Sequence, residues 1–221
     1  MFTLFKKTES NYPDFWKTYE SYFSAPDPVF LRESTFVVLD TETTGFNYKE
    51  DRILCIGALI LKDDKIKIDE TFELYLHQEK FNPDTVKIHG IIKKDEFKNI
   101  SEKEAIIQFL TYIKNAVLVA HHAHFDINMI NAMLKRYNLP KLKNKVLDTA
   151  VLYKATRINS NFIDKSKAYS LDNVADSLAI SKKDRHTAAG DAYITAIAFL
   201  KIIHKLTKGS PVKFKDILKI K

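Results

Sequence analysis

A short apolar run that ends in two carboxylates constrains this chain more than any other stretch. Residues 35–45 read Thr-Phe-Val-Val-Leu-Asp-Thr-Glu-Thr-Thr-Gly. The apolar residues from Phe36 to Leu39 do not alternate with polar ones, which predicts a strand that is buried on both faces. Asp40 and Glu42 follow, and in an extended chain residues at this spacing point to the same face.

Two neighbouring carboxylates at the edge of a core repel each other unless a cation lies between them. Oxygen ligands of this kind suit hard divalent ions such as Mg²⁺ or Mn²⁺. The same stretch is equally compatible with a strand followed by a polar turn, with both acids in solvent. The choice between the two interpretations therefore depends on the rest of the chain.

The composition fits one large domain with short appendages. The chain has 221 residues, of which 45% are hydrophobic, and its net charge of +7 is compatible with a polyanionic partner without being specific for one. Its single cysteine, Cys55, lies in an apolar run and is predicted to be a core residue. There is no run of about 18 apolar residues and no signal-peptide pattern at the N-terminus, which predicts a cytoplasmic protein without a membrane span.

The order of predicted elements indicates an α/β fold. Apolar stretches at 52–62 and 66–76, separated by a short turn, predict an antiparallel meander with the first strand. Two further short strands, at 117–120 and 146–147, are each followed by a helical pattern. We therefore predict a mixed five-stranded sheet with helices on both faces.

The two ends of the chain are predicted to be appendages on this domain. Residues 1–33 carry aromatic residues at helical spacing and predict an amphipathic helix packed on the domain. A docking helix for a partner, or an aromatic platform for bases, is the alternative. The domain itself is predicted to span residues 34–206, and residues 207–221 form a tail with a short helix.

Two more acids lie at the ends of predicted elements. Asp126 falls in the first turn of the helix that follows strand 117–120. Asp191 falls in the first turns of the last long helix, and His186 lies five residues upstream of it.

These residues form three motifs: Asp40-x-Glu42, Val-Ala-His-x-Ala-x-Phe-Asp126 and His186-x-x-x-x-Asp191. Together they resemble the motifs of the DEDDh, or DnaQ-like, 3′–5′ exonucleases. That family includes the epsilon subunits of DNA polymerase III, RNase T and oligoribonuclease. The resemblance runs from about residue 35 to 206.

The resemblance implies a ribonuclease H-like fold and a site for two divalent cations, Mg²⁺ or Mn²⁺. Asp40, Glu42 and Asp191 would bind the ion that activates the attacking water, and Asp40 would also bind the second ion, with Asp126 contributing through water. His186 would be the general base. The products would be nucleoside 5′-monophosphates, released from a free single-stranded 3′ end.

The resemblance also implies where the terminal nucleotide binds. Thr41, Thr43, Thr44 and Gly45 would lie against it, although Gly45 also suits a tight turn. His89, within Ile88-His-Gly-Ile91, would help to hold the nucleotide, and a plain turn is the alternative there.

The second motif departs from the family at one position and carries extra histidines. His122 stands where the family often has asparagine, and His121 and His124 lie beside it. A zinc site is one interpretation of this cluster, and a structural role for His121 and His122 is the one we favour.

The sequence leaves the nucleic acid undecided. Residues 154–167 form a basic loop that could bind a phosphate backbone or lie in solvent. We favour single-stranded DNA as the substrate and a DNA polymerase as a possible partner, with an exoribonuclease as the alternative. A non-catalytic binding module is a further alternative, which the intact set of acids and His186 opposes.

Overall fold

The computed structural model of the chain describes residues 11–79, 91, 99–157 and 169–220. Five strands occur in these residues, and they are β1 (Phe36–Thr43), β2 (Ile53–Lys62), β3 (Lys65–Tyr75), β4 (Val117–Ala120) and β5 (Val146–Asp148). The α-helices of the same residues are α1 (Asp14–Ser21), α2 (Glu102–Ile113), α3 (His124–Arg136), α4 (Thr149–Ala155), α5 (Leu171–Ser177), α6 (Ala188–Thr207) and α7 (Phe214–Ile217). None of these helices is long and apolar enough to cross a bilayer.

The strands form one mixed sheet in the order β3-β2-β1-β4-β5. β1 pairs antiparallel with β2, and β2 pairs antiparallel with β3, which gives the predicted meander. β4 lies parallel to β1, and β5 lies parallel to β4, so α3 connects two parallel strands. The predicted mixed five-stranded α/β sheet is confirmed, and β1 lies at its centre.

Side chains of β1 alternate between two hydrophobic cores because successive residues of a strand point to opposite faces. Val37 and Leu39 belong to the core that includes residues of α1, α2 and α3. Phe36 and Val38 belong to the core that includes residues of α4, α5, α6 and α7. Both faces of the sheet are therefore covered by helices, as predicted.

β1 continues farther than the apolar run alone suggests. Asp40 pairs with Gly57, and Glu42 pairs with Cys55, before the register shifts at Thr43. Pairing with β2 keeps this polar segment extended, so both acids lie within the strand and not in a turn after it. By alternation they share the face of Val38, whereas Thr41 lies on the face of Leu39.

The aromatic residues of α1 are part of the first core. Trp16 and Tyr19 are buried there, and the Tyr19 hydroxyl group donates a hydrogen bond of 2.5 Å to Asn144 Oδ1. Such buried rings are not available as a platform for bases. Cys55 is also buried, as predicted, and burial raises the pKa of its thiol.

Candidate active site

A glycine in β2 lets helix α6 begin beside the acids of β1. Gly57 lies opposite Asp40 in the antiparallel pair, so both residues share one face of the sheet. A Cβ atom on Gly57 would overlap the backbone where Ala188 joins Ala189, at the start of α6. The missing side chain therefore allows the close approach that brings the first turn of α6 next to Asp40.

Three carboxylates converge at this point. Asp191 lies in the first turn of α6, where its backbone N–H donates a 2.8 Å hydrogen bond to the carbonyl of Thr187. Oxygen atoms of Asp40, Glu42 and Asp191 lie within 4.8 Å of one another. In the part of the chain that the structure describes, no other group of three His, Cys, Asp or Glu side chains is close enough to hold a metal ion. The three histidines near Asp126 thus do not form a zinc site among the described residues.

Asp126 approaches β1 from the opposite face of the sheet. It lies in the first turn of α3 and is only 3% exposed. The hydroxyl group of Thr41 donates a 2.7 Å hydrogen bond to Asp126 Oδ1. Because Thr41 lies between Asp40 and Glu42 but points the other way, it connects Asp126 to the group of three acids.

The turn that leads into α3 is held by Asp148, at the end of β5. Its carboxylate accepts hydrogen bonds from the backbone N–H groups of His122, at 3.1 Å, and Ala123, at 3.0 Å. The same carboxylate caps α4 through the N–H of Ala150, at 2.8 Å. Asp148 therefore positions Asp126 indirectly, by fixing the start of its helix.

His121 has the structural role predicted for it. Its buried ring lies between the Thr149 hydroxyl group, at 2.9 Å, and the Tyr169 carbonyl, at 2.8 Å. Burial lowers its pKa to about 4, which keeps the ring neutral at physiological pH. His122, by contrast, is exposed and has a positive φ of 57°.

The hydroxyl groups of the turn after Glu42 form hydrogen bonds within the protein. Thr43 donates to the carbonyl of Gly45 at 2.8 Å, and Thr44 donates to Asp51 Oδ1 at 3.0 Å. A Cβ atom on Gly45 would lie 2.5 Å from Asp51 Oδ2, so the buried Asp51 carboxylate requires glycine at this position. The predicted contact of this turn with a nucleotide would therefore involve backbone groups. His89 lies outside the described residues.

Asp40, Glu42 and Asp126 hold their protons more tightly than free carboxylates do. Burial, and then the charges of Asp126, Asp191 and Glu42, raise the pKa of Asp40 well above its usual range. Burial, followed by the charge of Asp191, raises the pKa of Glu42 to about 7. Burial also raises the pKa of Asp126 to about 7, against the opposing effect of the Thr41 hydrogen bond.

Arg185 is the cation that opposes these shifts. Its charge lowers the pKa of both Asp40 and Glu42. The guanidinium donates hydrogen bonds to Asp191 and to Asp172 of α5. The next residue, His186, is exposed in the turn before α6 and has a positive φ of 68°.

These shifts predict how the stability of the metal-free protein depends on pH. The pKa of Glu42 is raised from 4.5 to about 7 on folding, so the folded state binds protons more tightly than the unfolded state. The stabilisation that protonation of Glu42 gives the folded state is fully present below the unfolded pKa of this group, and it is lost as pH rises through the folded pKa. With a chelator present, we expect Tm to fall between about pH 5 and pH 8.

Glu42→Gln is the matched variant for this measurement, because it removes the titrating group and keeps its shape. Its Tm in chelator should be a few degrees higher than that of the wild type at about pH 8 and should vary less with pH. Identical pH profiles for the two proteins would contradict the prediction.

Comparison with known proteins gives the family of this domain. The RNase T family model, described as exonuclease, matches residues 37–199. The chain therefore belongs to the RNase T exonuclease family.

Several curated relatives are DNA polymerase III proteins. The chain is 31% identical to the PolC-type DNA polymerase III of Thermotoga petrophila over 191 residues, which cover 86% of this chain and 13% of that protein. It is 29% identical to the DNA polymerase III subunit epsilon of Aquifex aeolicus, over 80% of this chain and 84% of that subunit. The chain thus spans about 13% of the length of the PolC-type relatives.

Solved structures share the fold at lower identity. Escherichia coli exonuclease I in complex with a dT13 oligonucleotide superimposes with a TM-score of 0.63 at 19% identity, covering 80% of this chain and 41% of that one. Exonuclease X in complex with 5′ overhanging duplex DNA gives a TM-score of 0.61 at 21% identity, covering 83% of this chain and 99% of that one. The ribonuclease H-like fold predicted for this chain is that of these neighbours.

Sequence reasoning did not find several residues that build the site. Gly57 had a usable signal, because an isolated glycine within an apolar strand often marks a close backbone approach. Arg185 and Asp148 had no such signal, since their importance depends on which distant groups they contact. Phe46 and Phe125 were also missed, although their rings lie together beside the site, with centroids 5.9 Å apart.

Proposed function

We propose that this chain is a metal-dependent 3′–5′ exonuclease that releases nucleoside 5′-monophosphates from single-stranded 3′ ends of DNA. The observation that carries the proposal is the convergence of Asp40, Glu42 and Asp191 at the end of the central strand, with Asp126 tied to them through Thr41. Membership of the exonuclease family supports the reaction class, and the epsilon-subunit relative supports the direction of cleavage.

The donor groups fit divalent metal ions. All are carboxylate oxygens, which Mg²⁺ and Mn²⁺ prefer. Asp191 Oδ1 is buried and has no hydrogen-bond partner among the described residues, so it is available as a ligand. Asp40, Glu42 and Asp191 would hold one ion, and Asp40 would also hold the second, with Asp126 contributing through water.

The bound ions would activate water and stabilise the attacking and leaving oxygens of an in-line phosphoryl displacement. The protein's own groups prepare that reaction. Thr41 fixes the orientation of Asp126, and the α6 start fixes that of Asp191. His186 is exposed in the turn before α6, five residues before Asp191. We assign it the role of general base, which would take a proton from the attacking water and pass it to solvent.

Aromatic rings beside the acids favour an unpaired strand. Phe46 is 78% exposed and contacts Phe125, the residue just before Asp126. An exposed ring next to a nucleotide site offers a surface on which an unstacked base can lie. The last bases of a single strand can adopt this position, whereas bases in a duplex remain stacked on each other.

DNA is favoured over RNA because of the relatives. The curated relatives are DNA polymerase III proteins, and the exonuclease X neighbour is in complex with duplex DNA. A DNA polymerase is accordingly the protein partner that we propose. The exoribonuclease alternative is tested together with the main proposal, because sugar discrimination depends on contacts to the 2′-hydroxyl group.

Digestion of matched substrates tests the proposed function. Purified protein in Mg²⁺ should shorten 5′-labelled single-stranded DNA from its 3′ end and release 5′-monophosphates. It should act more slowly on RNA of the same sequence, and it should trim a mismatched 3′ end of a duplex. Faster digestion of RNA would favour the exoribonuclease alternative, and no digestion of any substrate would favour a binding module.

Phe46→Ala should weaken binding of single-stranded DNA without abolishing hydrolysis. Loss of one stacked base contact should raise KM for single-stranded DNA by about tenfold, with a small effect on kcat. Steady-state kinetics on a 5′-labelled oligonucleotide measures both constants. Tyr48→Ala, at another partly exposed aromatic residue of the same loop, is the matched control. An unchanged KM for Phe46→Ala would contradict the stacking role.

A further inference from the structure

Arg185 lies between Asp191 of the candidate metal site and Asp172 on α5, and it donates hydrogen bonds to both. Its Nε and Nη2 atoms donate to the two carboxylate oxygens of Asp172, at 2.9 and 3.2 Å. Its Nη1 atom donates to Asp191 Oδ2. The Arg185 side chain is only 17% exposed, so its positive charge is held close to the acids of β1.

The two partners of Arg185 are not equivalent. The Asp172 side chain is 44% exposed, and both of its oxygens bind the guanidinium, which is the bidentate geometry that arginine and carboxylate groups prefer. The Asp191 side chain is 8% exposed, and its Oδ2 atom accepts a hydrogen bond from Arg185. Its Oδ1 atom has no hydrogen-bond partner among the described residues. Arg185 can therefore lose Asp191 and remain anchored through two hydrogen bonds.

We propose that Arg185 is an internal counter-ion of the metal site, which pairs with Asp191 in the metal-free protein and withdraws onto Asp172 when a divalent ion binds. The inference rests on the proposed function, because it assumes that Asp191 is a metal ligand. A divalent ion held by Asp191, Asp40 and Glu42 repels a neighbouring guanidinium and competes with it for the same carboxylate. Arg185 thus limits repulsion among the acids in the absence of metal, at the cost of a weaker metal site.

Calorimetric titration with Mn²⁺, without nucleic acid, tests the inference through two variants with opposite expected effects. Arg185→Gln removes the competing cation and should bind Mn²⁺ about tenfold more tightly, the factor that corresponds to one charge-assisted hydrogen bond. Asp172→Asn removes the charge that retains the guanidinium, so Arg185 should compete more strongly and Mn²⁺ binding should weaken severalfold. If Arg185 and Asp172 only held the turn in shape, both variants would weaken Mn²⁺ binding.

Thermal unfolding gives a second readout and a control. In chelator, Arg185→Gln should have a lower Tm than the wild type, and Mn²⁺ should raise its Tm more. Arg136→Gln disrupts a comparable ion pair with Glu102, at 2.9 and 2.5 Å, and should lower Tm without changing Mn²⁺ affinity.

The outcomes separate this inference from the proposed function. A wild-type protein that binds no Mn²⁺ would overturn the metal site itself. A wild-type protein that binds Mn²⁺, with Arg185→Gln binding it no more tightly, would overturn only the counter-ion role. If Arg185→Gln does not fold, Arg185→Met, which keeps the bulk of the side chain and removes its charge, replaces it in the same titration, and Mn²⁺ binding no tighter than that of the wild type would overturn the counter-ion role.

Discussion

Asp40→Asn should reduce release of mononucleotides by at least about 10³-fold, because the shared ligand contributes several kcal/mol of charge stabilisation through the metal ions. The variant keeps the shape of the side chain and removes a partly buried carboxylate whose charge is repelled by Asp126, Asp191 and Glu42. We therefore expect its Tm in chelator to equal or exceed that of the wild type, since catalytic sites often reduce stability. Digestion of 5′-labelled single-stranded DNA in Mg²⁺ measures the rate.

The control for Asp40→Asn is Asp64→Asn. Asp64 lies in the exposed turn between β2 and β3 and has a positive φ of 56°, which asparagine tolerates. This variant should retain full activity. If Asp40→Asn, correctly folded, released mononucleotides at the wild-type rate, the assignment of the site to metal-dependent hydrolysis would be wrong.

His186→Ala should lower kcat by about 10² to 10⁴-fold, the usual contribution of a general base. Binding of Mn²⁺, measured by calorimetry, should be unchanged because the candidate metal ligands are the three converging carboxylates and do not include His186. The positive φ of His186 complicates the alanine variant, since alanine adopts this conformation at a cost.

His186→Asn separates the backbone effect from the lost imidazole. Asparagine accepts a positive φ more readily than alanine and cannot act as a base near neutral pH. The two variants should therefore be equally impaired if the imidazole acts as the base. Recovery of the rate in His186→Asn would point to the turn conformation, and loss of Mn²⁺ binding in either variant would make His186 a metal ligand.

The positions of the acids in the fold were predictable from local sequence because each acid lies near the end of a regular element. The spacing of Asp40 and Glu42 places them on one face of a strand wherever that strand packs. The apolar periodicity of α3 and α6 predicts where each helix begins. It therefore places Asp126 and Asp191 in the first turns of these helices. What the local pattern could not indicate is that Asp126 approaches from the opposite face of the sheet, through Thr41.

In the turn after Glu42, packing decides which atoms are available for the predicted nucleotide contacts. Thr43 and Thr44 are short polar residues of the kind that often contact ligands, but both hydroxyl groups are engaged within the protein. Asp51 is responsible, because its buried carboxylate organises the turn and excludes a side chain at Gly45. A residue six positions away in the sequence thus determines which atoms the turn can offer to a substrate.

By itself, the sequence determined the α/β class, the order of the elements and the set of acids at their ends. These features depend on periodicity and on the residues next to each position, which are local properties. Only the tertiary structure decided that Gly57 admits the start of α6 and that Arg185 lies between Asp172 and Asp191. Such contacts join elements far apart in the chain, and no local pattern encodes which face of one element will meet another.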